Sequence, residues 1–145
     1  MRALFTFLLL SVITSVVWSQ PYGNEWVNHD QTYYKFPIYK TGVHRITYQA
    51  MLDAGFPINS ISSNRLQVFG KEKEVPLYVN DGGDNIMNAG DYIEFYSEKN
   101  DGWLDSLLYD VPKDIGNPGY SLYNDTLYYF LTWKSSGNGK RYVEE

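Results

Sequence analysis

The chain has 145 residues, enough for one domain with a modest core once an export signal is set aside. It carries 12 Lys and Arg residues against 17 Asp and Glu residues, and this net charge of −5 argues against nucleic acid and anionic membrane surfaces as partners. Cysteine is absent, which excludes disulfides, thiolate metal sites and a cysteine nucleophile from this chain. The 14 tyrosines favour strands and half-buried sheet faces, so the composition indicates β-structure.

The first 19 residues have the form of a secretory signal peptide. Arg2 gives a positive start, and residues 3–17 are almost wholly apolar but fall short of the roughly 20 residues that span a bilayer. Val17 and Ser19 occupy the two positions that a signal peptidase reads, so we expect cleavage between Ser19 and Gln20. The chain is therefore predicted to be exported to the periplasm, the outer-membrane surface or the medium, with no membrane span after cleavage; an uncleaved N-terminal anchor is the alternative.

The first elements of the mature chain alternate between apolar and polar residues. Period-two alternation predicts strands over residues 33–39 and 43–48, and Pro37 places the first of them at a sheet edge. Residues 47–54 change to a helix-forming composition, which predicts one short helix of two turns that Gly55 ends.

Further short strands follow. They are predicted over residues 66–69, 75–79, 92–96 and 127–133, and another begins at Arg141. Because a β-domain rarely stops inside a strand, we expect residues 20–145 to be the front end of a longer protein, truncated at its C-terminal end. The predicted fold is mainly β: a β-sandwich-like antiparallel domain with one short α-helix.

A long irregular region lies between the strands predicted over residues 92–96 and 127–133. Residues 100–123 are rich in Gly, Pro, Asn and Asp, which are typical of turns. Large apolar residues interrupt this region, among them Trp103, Leu104 and Leu108. We expect part of the region to pack on the core.

The loop of residues 80–91 is dense in oxygen ligands. Asp81, Asp84, Asn88 and Asp91 could converge on a hard cation such as Ca²⁺. Their spacing does not fit the EF-hand pattern. The alternative is an ordinary connection between strands, where Asp and Asn are favoured because they tolerate positive φ and cap local turns.

No catalytic residue is predicted in this chain. His29 and His44 are its histidines, and neither has a cysteine or a Gly-x-Ser-x-Gly serine to activate. We expect both to be ordinary surface or half-buried side chains, and the chain itself not to be an enzyme.

Four sequence segments, in the order in which they occur along the chain, resemble the sequence of one family. Residues 42–48 read Gly-Val-His-Arg-Ile-Thr-Tyr, residues 66–70 read Leu-Gln-Val-Phe-Gly, and residues 80–96 contain an acidic turn followed by Asp-Tyr-Ile-Glu-Phe-Tyr. Residues 124–133 read Asn-Asp-Thr-Leu-Tyr-Tyr-Phe-Leu-Thr-Trp, and Gly-Lys-Arg follows at 139–141. Together they resemble the N-terminal region of gingipain-like cysteine peptidases of Bacteroidetes, a family that includes PorU, the sortase of the type IX secretion system.

The resemblance implies a cysteine peptidase in the full-length parent, with a His-Cys dyad on a later domain. This chain would then be a non-catalytic N-terminal or propeptide-like domain that covers or positions the downstream peptidase domain, with type IX secretion components as further partners. The resemblance also marks Ser106 and Thr126, each between Asp and Leu, as O-glycosylation sites. The alternative is a cell-surface β module that binds glycan or protein through exposed tyrosines and tryptophans.

Overall fold

The computed structural model describes residues 23–117 and 119–143. The predicted signal peptide, with its cleavage residues Ser19 and Gln20, lies outside the described residues. The described chain forms two antiparallel sheets and one short α-helix, which confirms the predicted β-sandwich-like class. The first sheet has the strand order β1-β7-β3-β4, and the second has the order β2-β6-β5.

The strands of the described residues are β1 (Tyr34–Ile38), β2 (Gly42–Thr47), β3 (Leu66–Gly70), β4 (Lys73–Val75), β5 (Tyr78–Asn80), β6 (Tyr92–Ser97) and β7 (Leu127–Trp133). The α-helix is α1 (Tyr48–Asp53), and single 3₁₀ turns occur at Ile58–Ser60, Ser63–Arg65, Asp105–Leu108 and Pro112–Asp114.

The strand β1 confirms both predictions made for it. It lies at an edge of the first sheet and pairs with β7 alone, so the missing N–H of Pro37 leaves no gap inside the sheet. Its burial alternates along the strand, and Ile38 faces the core.

The helix α1 is defined by local sequence at both ends. The Thr47 side chain accepts a hydrogen bond from the backbone N–H of Ala50 and caps the first turn. Gly55 follows the last turn with φ +71°, the left-handed conformation that commonly ends helices. The inner face of the helix buries Met51 against the sandwich.

The core fills the space between the two sheets. Its most buried apolar strand residues are Leu66, Val68, Ile93, Phe95 and Tyr129. They come from β3, β6 and β7, the strands whose apolar residues alternate in sequence. Each such side chain stabilises the fold by about 2 kcal/mol relative to its exposed form.

The single strand predicted over residues 75–79 is wrong. The chain leaves the first sheet after Val75 and joins the second sheet at Tyr78. Pro76 has no N–H to continue a ladder, and Leu77 is buried at the crossing between the sheets. Alternation continues through the crossing because both halves face the same core, so the pattern cannot reveal the change of sheet.

One other expectation is corrected. No strand begins at Arg141 in the described residues; Arg141 makes one isolated parallel bridge with Leu77. The irregular region is buried in part, at Gly102 and Asp105, whereas Leu104 and Leu108 are exposed.

An aromatic cluster, separate from the core, covers the outer face of the first sheet. Trp26 stacks on Phe69 with ring centroids 5.2 Å apart, and lies 5.2 Å from the ring of Phe130. Tyr33 meets both of these phenylalanines edge-on. The segment before β1 thus folds back over the sheet and shields it from water, an arrangement with ring geometries that aromatic pairs prefer.

Candidate functional site

The acidic loop at residues 80–91 is tied down by its own side chains. Asp81 accepts hydrogen bonds from Ser63 Oγ and from the backbone N–H of Gly83. Asp84 accepts from the N–H of Ile86, and Asp91 accepts from the N–H of Asn88 at 2.6 Å. These carboxylates stabilise successive turns of the connection, as Asp does in loops.

The structure does not bring the predicted calcium ligands together. Within residues 23–117 and 119–143, no group of three or more His, Cys, Asp or Glu side chains is placed to hold a metal ion. The guanidinium of Arg141 also lies close enough to Asp81 to interact with its charge. The hydrogen bonds of Asp81, Asp84 and Asp91 fit the alternative interpretation, a connection between strands, and binding of Ca²⁺ by these residues with Asn88 stays a prediction.

The other predicted positions are dispersed. His44 Nε2 lies 2.8 Å from the carbonyl oxygen of Lys40, and His29 is exposed. Ser106 lies in a 3₁₀ turn, and Thr126 is half-buried directly before β7, with its N–H donated to Asn124 Oδ1. Nothing in this arrangement tests their glycosylation, which stays a prediction.

A charged cluster that the sequence did not indicate links the two sheets. Lys71, in the turn between β3 and β4, donates to Glu98 and to Asp101, with both distances 2.6 Å. The backbone N–H of Glu98 donates in turn to the hydroxyl of Tyr129, which lies in β7. The cluster therefore holds one end of the first sheet to the chain that leaves β6.

The Lys71 turn is itself unusual. Lys71 and Glu72 have φ values of 47° and 64°, the left-handed region in which hairpin turns normally carry Asn or Gly. A residue with a Cβ costs about 1–2 kcal/mol there. The two ion pairs of Lys71 help to offset this cost, which explains how a Lys-Glu turn persists.

Burial and pairing act in opposite directions on the cluster. Partial burial lowers the pKa of Lys71, but its hydrogen bonds to Asp101 and Glu98 outweigh burial and raise that pKa overall. Burial is the largest single effect on Asp101 and raises its pKa, but the hydrogen bond and the charge of Lys71, together with backbone hydrogen bonds, lower it by more in sum, so the net change in pKa is downward. Burial raises the pKa of Tyr129, which keeps its hydroxyl neutral.

Lys71→Met should lower the free energy of unfolding by about 1 kcal/mol at neutral pH, since the Lys71 side chain is only partly shielded from solvent. The folded-state pKa of Asp101 is lowered, so its stabilisation is present above the unfolded pKa, near 4, and is lost as the pH falls through the folded value. The wild type should therefore lose more stability than the variant between about pH 5 and 3.

Urea unfolding across this pH range measures the difference. Lys113→Met is the matched control, because Lys113 is exposed in a 3₁₀ turn and makes no ion pair among the described residues. An identical pH profile for Lys71→Met and the wild type would contradict a stabilising role of the cluster.

The most extended functional candidate is the outer face of the second sheet, which we call the aromatic face. Alternation places Tyr92, Glu94 and Tyr96 of β6 on this face. The register sets Val43 opposite Tyr96 and Arg45 opposite Glu94. On the other side of β6, Tyr78 of β5 pairs with Glu94 and lies 6.5 Å from the ring of Tyr92.

An ordered ion pair sits at the centre of the aromatic face. Arg45 donates from Nη2 and Nε to Glu94 Oε1, at 2.7 and 3.0 Å. Its guanidinium carbon also lies 3.7 Å from the ring centroid of Tyr92, a cation–π contact. Val43, Tyr78 and Tyr96 remain exposed around this centre, so the face offers apolar and aromatic surface around one fixed polar group.

The two outer faces of the sandwich differ in what covers them. Trp26 and Tyr33 cover the aromatic residues of the first sheet. On the second sheet, Val43, Tyr78 and Tyr96 stay exposed, and the backbone N–H of Tyr96 donates to the hydroxyl of Tyr142 at 3.0 Å. The sequence signal for this face was its row of alternating tyrosines, but the pairing of three strands was needed to join them.

Neither the family models nor the curated proteins and solved structures that were searched contain a match to this chain. Within the described part of the chain, no helix has the length and apolar character needed to cross a membrane. The fold and the aromatic face define a small β-sandwich-like domain with one uncovered aromatic surface.

Proposed function

We propose that this chain is a non-catalytic domain of an exported gingipain-like cysteine peptidase or type IX secretion sortase, and that its aromatic face docks on the peptidase domain of the same protein. The observation that supports docking is the uncovered aromatic face, because contiguous exposed apolar surface in a folded domain marks interaction sites. Tyr and Arg are also the residues enriched at protein interfaces. The role of such docking is to cover or position the peptidase domain.

The composition of the chain supports a non-catalytic role. There is no cysteine for a thiol nucleophile, and His44 makes a local contact with the carbonyl of Lys40. The family context comes from the four sequence phrases at residues 42–48, 66–70, 80–96 and 124–133. The docking surface comes from the sheet geometry, so the two parts of the proposal rest on different observations.

Glycan binding by the same surface is the rival function. A sugar-binding platform needs free aromatic rings on which a sugar can stack. Here the ring of Tyr92 is already occupied by Arg45, and the guanidinium of Arg45 is engaged by Glu94. This arrangement favours a protein partner, whose side chains can pack between Tyr78 and Tyr96 and around the ion pair.

Photo-crosslinking in the full-length exported protein tests the docking. With p-benzoylphenylalanine in place of Tyr96, we expect a crosslink to a peptide of the peptidase domain, identified by mass spectrometry. The same probe in place of Tyr39, which is exposed just after β1 in the first sheet, is the matched control and should give none. Adding Tyr78→Ser should lower the crosslink yield about tenfold, as loss of an aromatic interface residue does.

Two results would overturn the proposal. One is an absence of protein crosslinks from position 96 together with saturable quenching of tryptophan fluorescence by oligosaccharides, which would favour the glycan module. The other is peptide hydrolysis by the chain itself, since it has no thiol nucleophile to perform it.

A further inference from the structure

The edges of the two sheets differ in how they are protected against pairing with another chain. In the first sheet, Pro37 interrupts the row of donors on edge strand β1, and the other edge strand, β4, has three residues. In the second sheet, edge strand β5 also has three residues, and backbone hydrogen bonds join Leu77, just before it, to Lys140 and Tyr142. The remaining edge strand, β2, has six residues, no proline and no strand on its outer side in the described part of the chain.

The register of β2 with β6 shows which backbone groups of β2 face outward. The N–H of Tyr48 donates to the carbonyl of Asp91 at 2.9 Å and continues the ladder past its last pair. Because residues that bond to the partner alternate with residues that point away, the even-numbered residues of β2 bond to β6. The N–H of Tyr96, opposite Val43, accordingly points away from β2. Val43 and Arg45 therefore direct their N–H and carbonyl groups to the open side, where no backbone group of the described residues reaches them.

An apolar groove opens beside this edge, between β1 and β2. Its volume is about 390 Å³, and its walls come from β1, β2, β7 and the helix α1, chiefly through Tyr34, Phe36, Ile46, Ala50, Met51 and Leu131. Ile46 is only half-buried there, whereas Ile93, its pairing partner on β6, is fully buried. An apolar cavity of about 150 Å³ is enough to bind benzene, so this groove has room for large apolar side chains.

The edge and the groove together specify an extended polypeptide chain. A strand that bonds to the backbone of Val43 and Arg45 places its residue opposite Ile46 on the inner face of the sheet, because cross-strand neighbours share a face. That side chain lies beside the groove that Ile46 lines. The residues on either side of it point to the outer face, so the strand needs apolar residues at every second position. A small apolar ligand would fill the groove but would leave the backbone groups of β2 unused.

We propose that the edge of β2 and the groove form an acceptor site for an extended segment of a partner polypeptide in which apolar and polar residues alternate. The segment adds to the second sheet as a strand beside β2 and buries its apolar side chains in the groove. The N–H and carbonyl groups of Val43 and Arg45 supply the directional hydrogen bonds, and the groove supplies the selectivity, as in other complexes in which a peptide extends a sheet. The site does not require the peptidase domain as partner, since its chemistry lies in the described residues of this chain.

The test uses a fluorescein-labelled peptide of alternating threonine and valine, with lysine at both ends, added to the full-length protein. We expect saturable binding, measured by fluorescence anisotropy, and slower hydrogen exchange at the N–H groups of Val43 and Arg45. Val43→Pro removes one outward donor and should weaken binding about tenfold, as the loss of one backbone hydrogen bond does. Val43→Ala is the matched control: it keeps the donor and changes only a side chain on the outer face, so the affinity should be nearly unchanged.

Changes in the peptide test the same site without altering the protein, and so cover the case in which Val43→Pro does not fold. Methylation of alternate backbone nitrogens, in whichever of the two frames faces β2, should abolish binding; equal binding of both methylated peptides would overturn the role of the edge. Serine in place of every valine should also abolish binding; equal binding of that peptide would overturn the role of the groove.

Three further results would overturn the acceptor site as proposed. One is no binding of the unmodified peptide. Another is binding of a fluorescent fatty acid in its place, which would assign the groove to a small apolar ligand. The third is a dimer of the full-length protein that Val43→Pro dissociates, which would make a second copy of this chain the occupant. Crosslinking from position 96 reports on the aromatic face separately, so either proposal can fail while the other stands.

Discussion

Phe95→Ala should lower the free energy of unfolding by about 3–5 kcal/mol, the usual cost of emptying a buried phenylalanine site. Phe95 is 1% exposed and lies on β6 of the second sheet. Its ring contacts Phe36 and Tyr129 of the first sheet, with centroids 5.9 and 6.3 Å away. The side chain therefore joins the two sheets, and its loss leaves a cavity that both would have to close.

Urea unfolding followed by tryptophan fluorescence measures this change. Tyr96→Ala is the matched control, since Tyr96 is the next residue on β6 and is 48% exposed on the opposite face; it should stay within about 0.5 kcal/mol of the wild type. If Phe95→Ala does not fold, Phe95→Leu keeps most of the volume and should cost less than about 1.5 kcal/mol. Equal effects at positions 95 and 96 would contradict the assigned core face.

Gly70→Ala should lower the free energy of unfolding by about 2–3 kcal/mol through overpacking. A Cβ at Gly70 would overlap the ring of Tyr129, which is buried and held by Glu98. The ring cannot move away without disturbing the hydrogen bond to Glu98 and the Lys71 cluster beside it. The decrease in the free energy of unfolding should therefore be larger than that caused by adding one methyl group at a more open site.

Gly116→Ala is the control for this substitution, because a Cβ there meets no atom within 4 Å. It should be close to neutral, or slightly stabilising through the reduced freedom of the unfolded chain. Thermal unfolding of both variants at the same pH gives the comparison. A Gly70→Ala variant as stable as Gly116→Ala would show that Tyr129 is not fixed where the structure places it.

Local sequence determined much of the sandwich. The alternation in β1, β2, β6 and β7 identified which residues share a face, because side chains of a strand point alternately to its two faces. The cap at Thr47 and the stop at Gly55 defined α1, because capping depends on neighbours within one turn. Both signals lie within a few residues, so they can be read without knowledge of the rest of the fold.

Only the tertiary structure decided how distant segments meet. The change of sheet at Pro76, the packing of Trp26 on Phe69, and the ion pairs of Lys71 with Glu98 and Asp101 have no local pattern. Each depends on pairing between strands far apart in sequence. The same holds for the acidic loop: its composition allowed a cation site, but the backbone used its carboxylates to cap turns.

The exposed surfaces of the domain show the same division. The sequence determined that tyrosines alternate along β6 and that apolar residues interrupt a turn-rich segment. It did not determine that β2 and β5 flank β6, or that Asn100 meets Asp125 across 25 positions of chain. Which apolar side chains stay in water depends on which elements cover each face. That is a property of the assembled sheets, because burial is decided by neighbours in space.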